Sequence, residues 1–197
     1  METLDRTPAS TFVGGLGEIA QTLHGIASGS YPAELDRATD LLVDAFRSGR
    51  RLLVFGNGGS SADAQHLCGE LVGRFQKQRR ALHALALTAN QAVLTAWAND
   101  YSYEQIFARQ IEAHGGVGDV AWGISTSGNS PNVVAGLRAA RERGLYTIAL
   151  TGQGGGRAAE WADVLLAVPL VETPRIQEIH LITYHFICAA IERILFP

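Results

Sequence analysis

The chain has 197 residues, of which 47% are hydrophobic and 18% are charged, and its formal net charge is -3 at pH 7. This length and composition suit one good hydrophobic core, so we expect a single domain over residues 1–197. The slight negative charge excludes a broad basic surface, and we expect no nucleic acid partner. The longest basic run, Gln76–Arg80, is interpreted as a solvated loop. It holds the only lysine, Lys77, which argues against Schiff-base and Walker-type sites.

Targeting and membrane features point to the cytoplasm. Residues 1–6 mix both charge signs and are not followed by an apolar segment, so we expect no secretory signal. The longest stretch without acidic or basic side chains, residues 81–99, contains several Thr, Asn and Gln residues and is not expected to span a membrane. Cys68 and Cys188 fall within predicted helices without paired spacing, and are interpreted as reduced.

Hydrophobic periodicity predicts alternating helices and strands. Two helices come first, at residues 11–27 and 32–47. The predicted strands are residues 52–55, 82–87, 119–125, 146–151 and 164–168. The later helices are expected from residue 60 onward and at residues 90–98, 104–113, 130–143, 154–161 and 174–195, with a loop at 99–103.

This alternation implies parallel strands joined by helical crossovers. The predicted fold is an α/β protein, a three-layer α/β/α sandwich with a five-stranded parallel sheet of the flavodoxin-like type. Residues 1–48 would form N-terminal helices for packing and oligomerisation, and residues 49–197 the α/β core. Sites in such sheets lie at the carboxyl ends of the strands.

The first chemical motif follows the first predicted strand. The loop Gly56–Gly59 contains three glycines, which let backbone N–H groups turn toward one point, and the following helix adds its positive dipole end. This arrangement can bind an anion. On that helix His66 and Glu70 are four residues apart, so they share a face about 6 Å apart along the axis. Alone they would more often be a surface pair, but the adjoining anion loop favours an acid/base pair.

The second motif follows the third predicted strand. Four hydroxyl side chains surround Gly128 in a strand-to-helix junction: Ser125, Thr126, Ser127 and Ser130. Ser130 is placed as the helix N-cap, with Pro131 in the first turn. The alternative is a plain helix cap, but a cap needs one hydroxyl rather than four. We therefore expect the hydroxyls to hold a phosphate group.

Four segments together resemble the sugar isomerase (SIS) domain family and, within it, the phosphoheptose isomerases. They are Gly-Asn-Gly-Gly-Ser at 56–60, Asp-Ala-Gln-His at 63–66, Ile-Ser-Thr-Ser-Gly-Asn-Ser at 124–130 and Arg-Ile-Gln-Glu-Ile-His at 175–180. The resemblance covers nearly the whole chain. It implies a homotetramer, commonly zinc-dependent, that interconverts sedoheptulose 7-phosphate and D-glycero-D-manno-heptose 7-phosphate through an enediol.

The resemblance also implies roles for individual residues. The substrate contacts it implies are Asn57, Gly58, Gly59, Glu70, Asn99, Asp100, Ser125, Thr126, Ser127, Ser130 and Gln177. The implied ligands of one zinc ion per subunit are His66, Glu70, Gln177 and His185. Glu70 would be the catalytic base and His185 the acid. A glutamate held tightly by metal is a weakened base, so either the ion is loosely held or Glu70 changes role during turnover. The chain departs from the family at Thr173 and Pro174, where an acidic residue is common.

Helical geometry constrains the implied ligand set. Gln177 and His185 lie eight residues apart on one predicted helix, which separates their backbones by about 12 Å and about 80° of rotation. This is awkward for one ion, so we hypothesise that the site is shared between subunits, with at least one ligand from a neighbouring chain. His180 lies about 140° round the helix from His185 and is assigned either to packing or to a supporting position behind the site residues. The remaining histidines, His24, His83 and His114, are interpreted as structural.

Two other functions remain open. The same domain occurs in a bacterial replication-initiator-associating protein, a non-catalytic SIS-domain binding protein that lacks the metal and acid/base residues. The terminal residues 194–197 are reminiscent of that branch, whereas Glu70 and His185 argue for an enzyme. A sugar-phosphate-sensing regulatory domain is the third reading, but no DNA-binding segment is recognised and the net charge opposes it.

Overall fold

The computed structural model describes residues 8–197, so the expectation about residues 1–6 falls outside the described part of the chain. Within it the strands are β1 (Leu52–Gly56), β2 (Ala84–Ala86), β3 (Val120–Ser125), β4 (Tyr146–Thr151) and β5 (Val164–Ala167). The α-helices are α1 (Pro8–Ser28), α2 (Tyr31–Arg47), α3 (Gly59–Val72), α4 (Gln91–Asp100), α5 (Ile106–His114), α6 (Pro131–Glu142) and α7 (Thr173–Leu195). Short 3₁₀ turns occupy Tyr103–Gln105 and Gly156–Trp161.

The five strands form one parallel sheet in the order β2-β1-β3-β4-β5, which confirms the predicted fold class. Every residue of β1 and β3 is buried, because helices cover both faces of the sheet. The chain passes from β1 to β2 toward one edge of the sheet, and from β3 to β4 toward the other edge. The loops after these two strands therefore part from each other and leave a crevice, where sheets of this type bind ligands.

The core is divided between the two faces of the sheet. On one face Leu42 of α2, Leu67 of α3 and Ile187 of α7 pack in one apolar cluster with Trp122. On the other face Phe107 and its neighbours on α5 and α6 pack in a second cluster. The helices α3 and α7 therefore lie side by side on one face of the sheet, so side chains on their facing surfaces can meet.

Two predicted boundaries are wrong. The strand expected at 82–87 is reduced to Ala84–Ala86 at the sheet edge. The Ala84 N–H bonds back to the Leu82 carbonyl, and beyond the paired residues only single bonds reach β1, from the Leu52 N–H to the His83 carbonyl and from the Leu87 N–H to the Val54 carbonyl. The helix expected to end at residue 98 continues to Asp100, so Asn99 and Asp100 lie in its last turn rather than in a loop. No glycine or proline interrupts it there, and the Tyr101 N–H still bonds to the Trp97 carbonyl.

The prediction of a solvated loop at residues 76–80 is also wrong for Arg79. The Arg79 side chain is 1% exposed and pairs with Glu192 of α7, which is 2% exposed, at 2.9 Å. Burial raises the pKa of Glu192, but backbone N–H groups from residues 75–77 and the Arg79 charge outweigh it, so the pKa lies below its usual value. The Arg79 guanidinium can be buried because Glu192 and the backbone carbonyls of Glu70 and Leu71 accept its hydrogen bonds.

Other expectations hold. Cys68 and Cys188 are free and buried, and burial raises the pKa of each thiol to about 12, as expected for reduced and unreactive cysteines. His180 is fully buried and its Nε2 lies 3.1 Å from the Thr151 carbonyl oxygen, which confirms its packing role. Burial lowers the pKa of His180 to about 4, against a smaller opposing effect of that carbonyl. None of the described helices has the length and apolar character needed to cross a bilayer.

Candidate active site

The loop after β1 brings α7 close to the start of α3. Gly59 is the first residue of α3, and a Cβ atom there would overlap the side-chain amide of Gln177. The absence of a side chain at Gly59 therefore allows this approach. Gln177 consequently lies at the N-terminus of α3, whereas His66 is two turns further along that helix, about 10 Å along its axis.

An asparagine pair ties the two site loops together. Asn57, directly after β1, and Asn132, in the first turn of α6, exchange two amide hydrogen bonds of 2.8 Å each. The hydroxyl of Tyr103 donates a third bond to Asn57 Oδ1 at 3.0 Å. Sequence reasoning missed Asn132 and Tyr103. Asn132 directly follows the Ser130-Pro131 cap and so could have been suspected, but nothing in the sequence marks Tyr103.

The loop after β3 carries the predicted hydroxyl groups. Ser125 is buried, and its Oγ lies 3.0 Å from the Oγ of Ser130. Ser130 is the N-cap of α6, but its side chain makes no capping hydrogen bond. Ser127 is exposed, and its hydroxyl accepts the Asn129 N–H at 3.1 Å. A plain helix cap therefore does not account for these hydroxyls.

Gly128 closes this loop against a neighbouring turn. Its φ is 64°, in the left-handed region, and a Cβ atom there would overlap the backbone carbonyl of Gly155. A glycine is required on both counts. The loop is thereby held close to the turn after β4, with the unpaired N–H groups of α6 at its base.

Three of the four implied metal ligands gather on α3 and α7. His66 Nε2 lies 3.0 Å from Glu70 Oε1 and 3.5 Å from His185 Nε2. One ligand atom from each of the three residues lies within 4.8 Å of the others. The side chains of His66 and Glu70 are 43% and 23% exposed, so the cluster is open to solvent. Burial lowers the pKa of His185 and His66 lowers it further, against the opposing charge of Glu70, which favours a neutral ring at pH 7.

This cluster fits a divalent metal ion. Two imidazole nitrogens and a carboxylate oxygen are a donor set that zinc accepts. Around a tetrahedral zinc with bonds of about 2.1 Å, neighbouring ligand atoms lie about 3.4 Å apart. The two measured separations from His66 Nε2, 3.0 and 3.5 Å, bracket that value. His66, Glu70 and His185 can therefore hold a metal without large movement.

Two further residues, which sequence reasoning missed, lie behind His66. The hydroxyl of Tyr184 lies 3.0 Å from His66 Nδ1 and donates to Asp63 Oδ1 at 3.3 Å. Burial raises the pKa of Asp63 above its usual value, against smaller opposing effects of the Tyr184 hydroxyl and of His66. Asp63 is three residues before His66 on α3, a spacing that places both on one face and could have indicated it. On the opposite side the Phe75 ring packs against His185, with centroids 5.3 Å apart.

The remaining predicted site residues are more peripheral. Asn99 and Asp100 are exposed at the end of α4, where their side chains bond to each other at 2.8 Å. Gly58 is the N-cap of α3, with a φ of 53°. Thr126 is partly exposed, and its carbonyl accepts the Gly152 N–H at 2.9 Å.

Comparison with known proteins agrees with this geometry. The SIS domain family model matches residues 17–152. A phosphoheptose isomerase of Geobacter sp. (strain M21) is 53% identical over 179 residues, which cover 91% of either chain. The structure of a phosphoheptose isomerase from Neisseria gonorrhoeae superposes with a TM-score of 0.89 at 38% identity, covering 95% of this chain and all of the other. A phosphoheptose isomerase from Francisella tularensis gives 0.90 at 33% identity, covering 95% and 99%. The chain therefore belongs to the phosphoheptose isomerase family of SIS-domain proteins and is a sugar-phosphate isomerase.

Proposed function

We propose that the protein interconverts sedoheptulose 7-phosphate and D-glycero-D-manno-heptose 7-phosphate, with Glu70 as base and His185 as acid. The observation that carries the proposal is the convergence of these two side chains from different helices, with ligand atoms within 4.8 Å. The hydroxyl-lined loop after β3 would supply the phosphate site. A base, an acid and an anion site are the parts that isomerisation of a phosphorylated sugar requires.

The two loops would bind the two ends of the substrate. Hydroxyls of Ser125, Thr126, Ser127 and Ser130, together with the N–H groups at the start of α6, suit phosphate oxygens. Amide and backbone groups suit the sugar hydroxyls, and those proposed for this contact are Asn57, Gly58, Gly59, Asn99, Asp100 and Gln177. The Asn57–Asn132 hydrogen bonds hold the loop after β1 at a fixed distance from the start of α6.

The proposed chemistry gives each of the two groups one proton-transfer role. Isomerisation takes a proton from the carbon beside the carbonyl and returns one to its neighbour through an enediol. The Glu70 carboxylate accepts and returns this proton, and His185 donates to the substrate oxygen through the ring nitrogen that does not hold the metal. General acid and base catalysis contribute about two to four powers of ten each to the rate. A neutral His185 can donate a hydrogen bond to the carbonyl oxygen.

We further propose one zinc ion per subunit, held by His66, Glu70 and His185. Gln177 stays a proposed fourth ligand, although its amide lies beside Gly59 within this chain. When bound, zinc would polarise the carbonyl and stabilise the negative oxygen of the enediolate.

We also propose that the protein is a homotetramer with active sites shared between subunits. Each chain would form one domain over residues 1–197, and the assembly would lie in the cytoplasm. The support is a set of exposed apolar side chains on α1 and α7: Phe12, Val13, Leu16, Leu181, Phe186 and Ile194. Apolar side chains clustered on exposed helical faces are typical of interfaces. The open position of the metal cluster leaves room for a partner's side chains. Light scattering should give the mass of four chains, and a stable monomer or dimer would contradict the proposal.

The direct test is turnover. Purified protein should convert sedoheptulose 7-phosphate to the aldose, and a chelator should abolish the conversion until zinc is added back. Turnover that survives complete metal removal would contradict the role of zinc but not the isomerase proposal. No turnover with any divalent metal would contradict the isomerase proposal and favour the non-catalytic binding protein.

Ser130→Ala should weaken substrate binding without unfolding α6. The hydroxyl makes no capping bond, and a hydrogen bond to a charged phosphate contributes about 1.5–3 kcal/mol, so KM should rise about 10- to 100-fold. Steady-state kinetics and thermal unfolding measure the two effects.

The matched control is Asn90→Ala, because the Asn90 side chain does cap α4 by accepting the Val93 N–H at 3.2 Å. Its loss should cost about 1 kcal/mol of stability and leave KM unchanged. An unchanged KM in Ser130→Ala would contradict the phosphate role of this hydroxyl.

A further inference from the structure

Tyr184 is a buried group in contact with the cluster formed by His66, Glu70 and His185. Its side chain is fully buried, yet its hydroxyl lies between two polar atoms of α3, His66 Nδ1 at 3.0 Å and Asp63 Oδ1 at 3.3 Å. The rings of His66 and Tyr184 meet edge to face, with an interplanar angle of 76°. This orientation directs Nδ1 toward the interior and leaves Nε2 facing Glu70 and His185.

The hydrogen atoms at this hydroxyl are limited. A tyrosine hydroxyl has one hydrogen to donate, and an ionised carboxylate has none. The contact to Asp63 therefore uses the hydrogen of Tyr184. The oxygen of Tyr184 can then only accept at its second contact, so His66 must carry a hydrogen on Nδ1.

A hydrogen on Nδ1 decides what Nε2 can do. In the neutral ring the other nitrogen then presents a lone pair. That lone pair faces the Glu70 carboxylate oxygen at 3.0 Å, and two acceptors at this distance need a hydrogen or a metal ion between them. Metal-binding histidines are commonly oriented by a hydrogen bond from their second nitrogen to an acceptor.

We propose that Tyr184 and Asp63 are positioning residues that hold His66 with its hydrogen on Nδ1, so that Nε2 is presented to the metal. The inference rests on the zinc site proposed above. Asp63, Tyr184 and His66 form a hydrogen-bonded chain that reaches from the interior between α3 and α7 to the open cluster. These hydrogen bonds also link α3, which carries His66 and Glu70, to α7, which carries His185.

Zinc affinity of the full-length protein tests this proposal without using activity. Zn²⁺ alone is the probe, and its Kd is measured by competition with a chromophoric chelator. Tyr184→Phe removes only the hydroxyl, and we expect its Kd for Zn²⁺ to rise about 10- to 100-fold. The matched control is Tyr31→Phe, which removes a buried hydroxyl that contacts Thr183 of the same helix at 2.8 Å but does not reach His66.

The control should bind Zn²⁺ as the wild type does, and metal-free unfolding midpoints show whether both variants fold. Asp63→Ala should weaken binding like Tyr184→Phe, whereas Asp63→Asn keeps an acceptor for Tyr184 and should retain part of the affinity. In ¹H–¹⁵N spectra of the zinc-loaded wild type, His66 should carry a hydrogen on Nδ1.

Three results would overturn the proposal. Tyr184→Phe could bind Zn²⁺ as tightly as Tyr31→Phe, or the spectra could show a bare Nδ1 in the zinc-loaded wild type. A wild type that binds no Zn²⁺ would overturn both this inference and the zinc site. In that case turnover of sedoheptulose 7-phosphate would still decide the isomerase proposal separately.

Discussion

Glu70→Gln is expected to lower kcat by about two to four powers of ten, because an amide cannot accept the proton that the carboxylate accepts. The substitution preserves the size of the side chain, so the contact with His66 and the fold should survive. Substrate KM should change far less than kcat, since the proposed phosphate-binding loop is untouched. Steady-state kinetics with sedoheptulose 7-phosphate, together with circular dichroism, measure these effects.

His185→Ala should give a loss of kcat of the same order for a different reason. It removes the proposed acid and one of the three clustered ligands, so added zinc should not restore the rate. The matched control for charge removal is Glu142→Gln, an exposed carboxylate at the end of α6 that should leave kcat unchanged. If Glu70→Gln and His185→Ala both kept full activity, the assignment of base and acid would be wrong.

Glu192→Ala is expected to destabilise the fold by about 3–5 kcal/mol, because it leaves the buried Arg79 cation without its partner. The Glu192 carboxylate accepts N–H groups from Phe75, Gln76 and Lys77 at 2.7–2.9 Å, and these donors would also lose their acceptor. Arg79 in turn donates to the Glu70 carbonyl at 2.7 Å, near the end of the helix that carries the proposed base. Urea unfolding measures the loss.

Glu178→Ala is the matched control on the same helix. Glu178 pairs with Arg175 at 2.7 Å but its side chain is 43% exposed, so removing it should cost no more than about 1 kcal/mol. A loss in Glu192→Ala no larger than that in Glu178→Ala would contradict the importance of the buried pair. Because Phe75 packs on His185, the Glu192 variant should also lose activity below its unfolding midpoint.

The Glu192 contribution should depend on pH in a defined direction. Its pKa in the folded protein lies below the usual 4.5, so the unfolded chain holds the proton more readily. The stabilisation is therefore complete above pH 4.5 and is lost as the pH falls through the lower pKa of the folded state. The difference in unfolding free energy between the wild type and Glu192→Gln should be constant near neutral pH and should shrink below pH 4.5.

Local sequence patterns predict most of the fold. The strand, glycine loop and helix at residues 52–72 follow from an apolar run, three glycines and helical periodicity. The edge strand was overestimated because Leu82 and Leu87 are apolar and buried but lie outside the three residues that pair with β1. Arg79 was misjudged because its partner Glu192 lies 113 positions away, and no local pattern shows such a contact.

The site was predictable in unequal parts. The spacing of His66 and Glu70 and the four hydroxyls near Gly128 are local features, and both motifs could be proposed from the residues themselves. The convergence of His185 with His66 depends on how α7 packs on α3, so only the family resemblance indicated it. The Asn57–Asn132 and Tyr184–Asp63 contacts join residues far apart in the chain, and they are seen only in the folded structure.

Solvent deuterium exchange tests most directly whether Glu70 moves the substrate proton. With sedoheptulose 7-phosphate in D₂O, proton NMR should show the wild type introducing deuterium at the carbon beside the carbonyl, and Glu70→Gln should leave that position protonated even when substrate is bound. Exchange by Glu70→Gln at the wild-type rate would contradict the account.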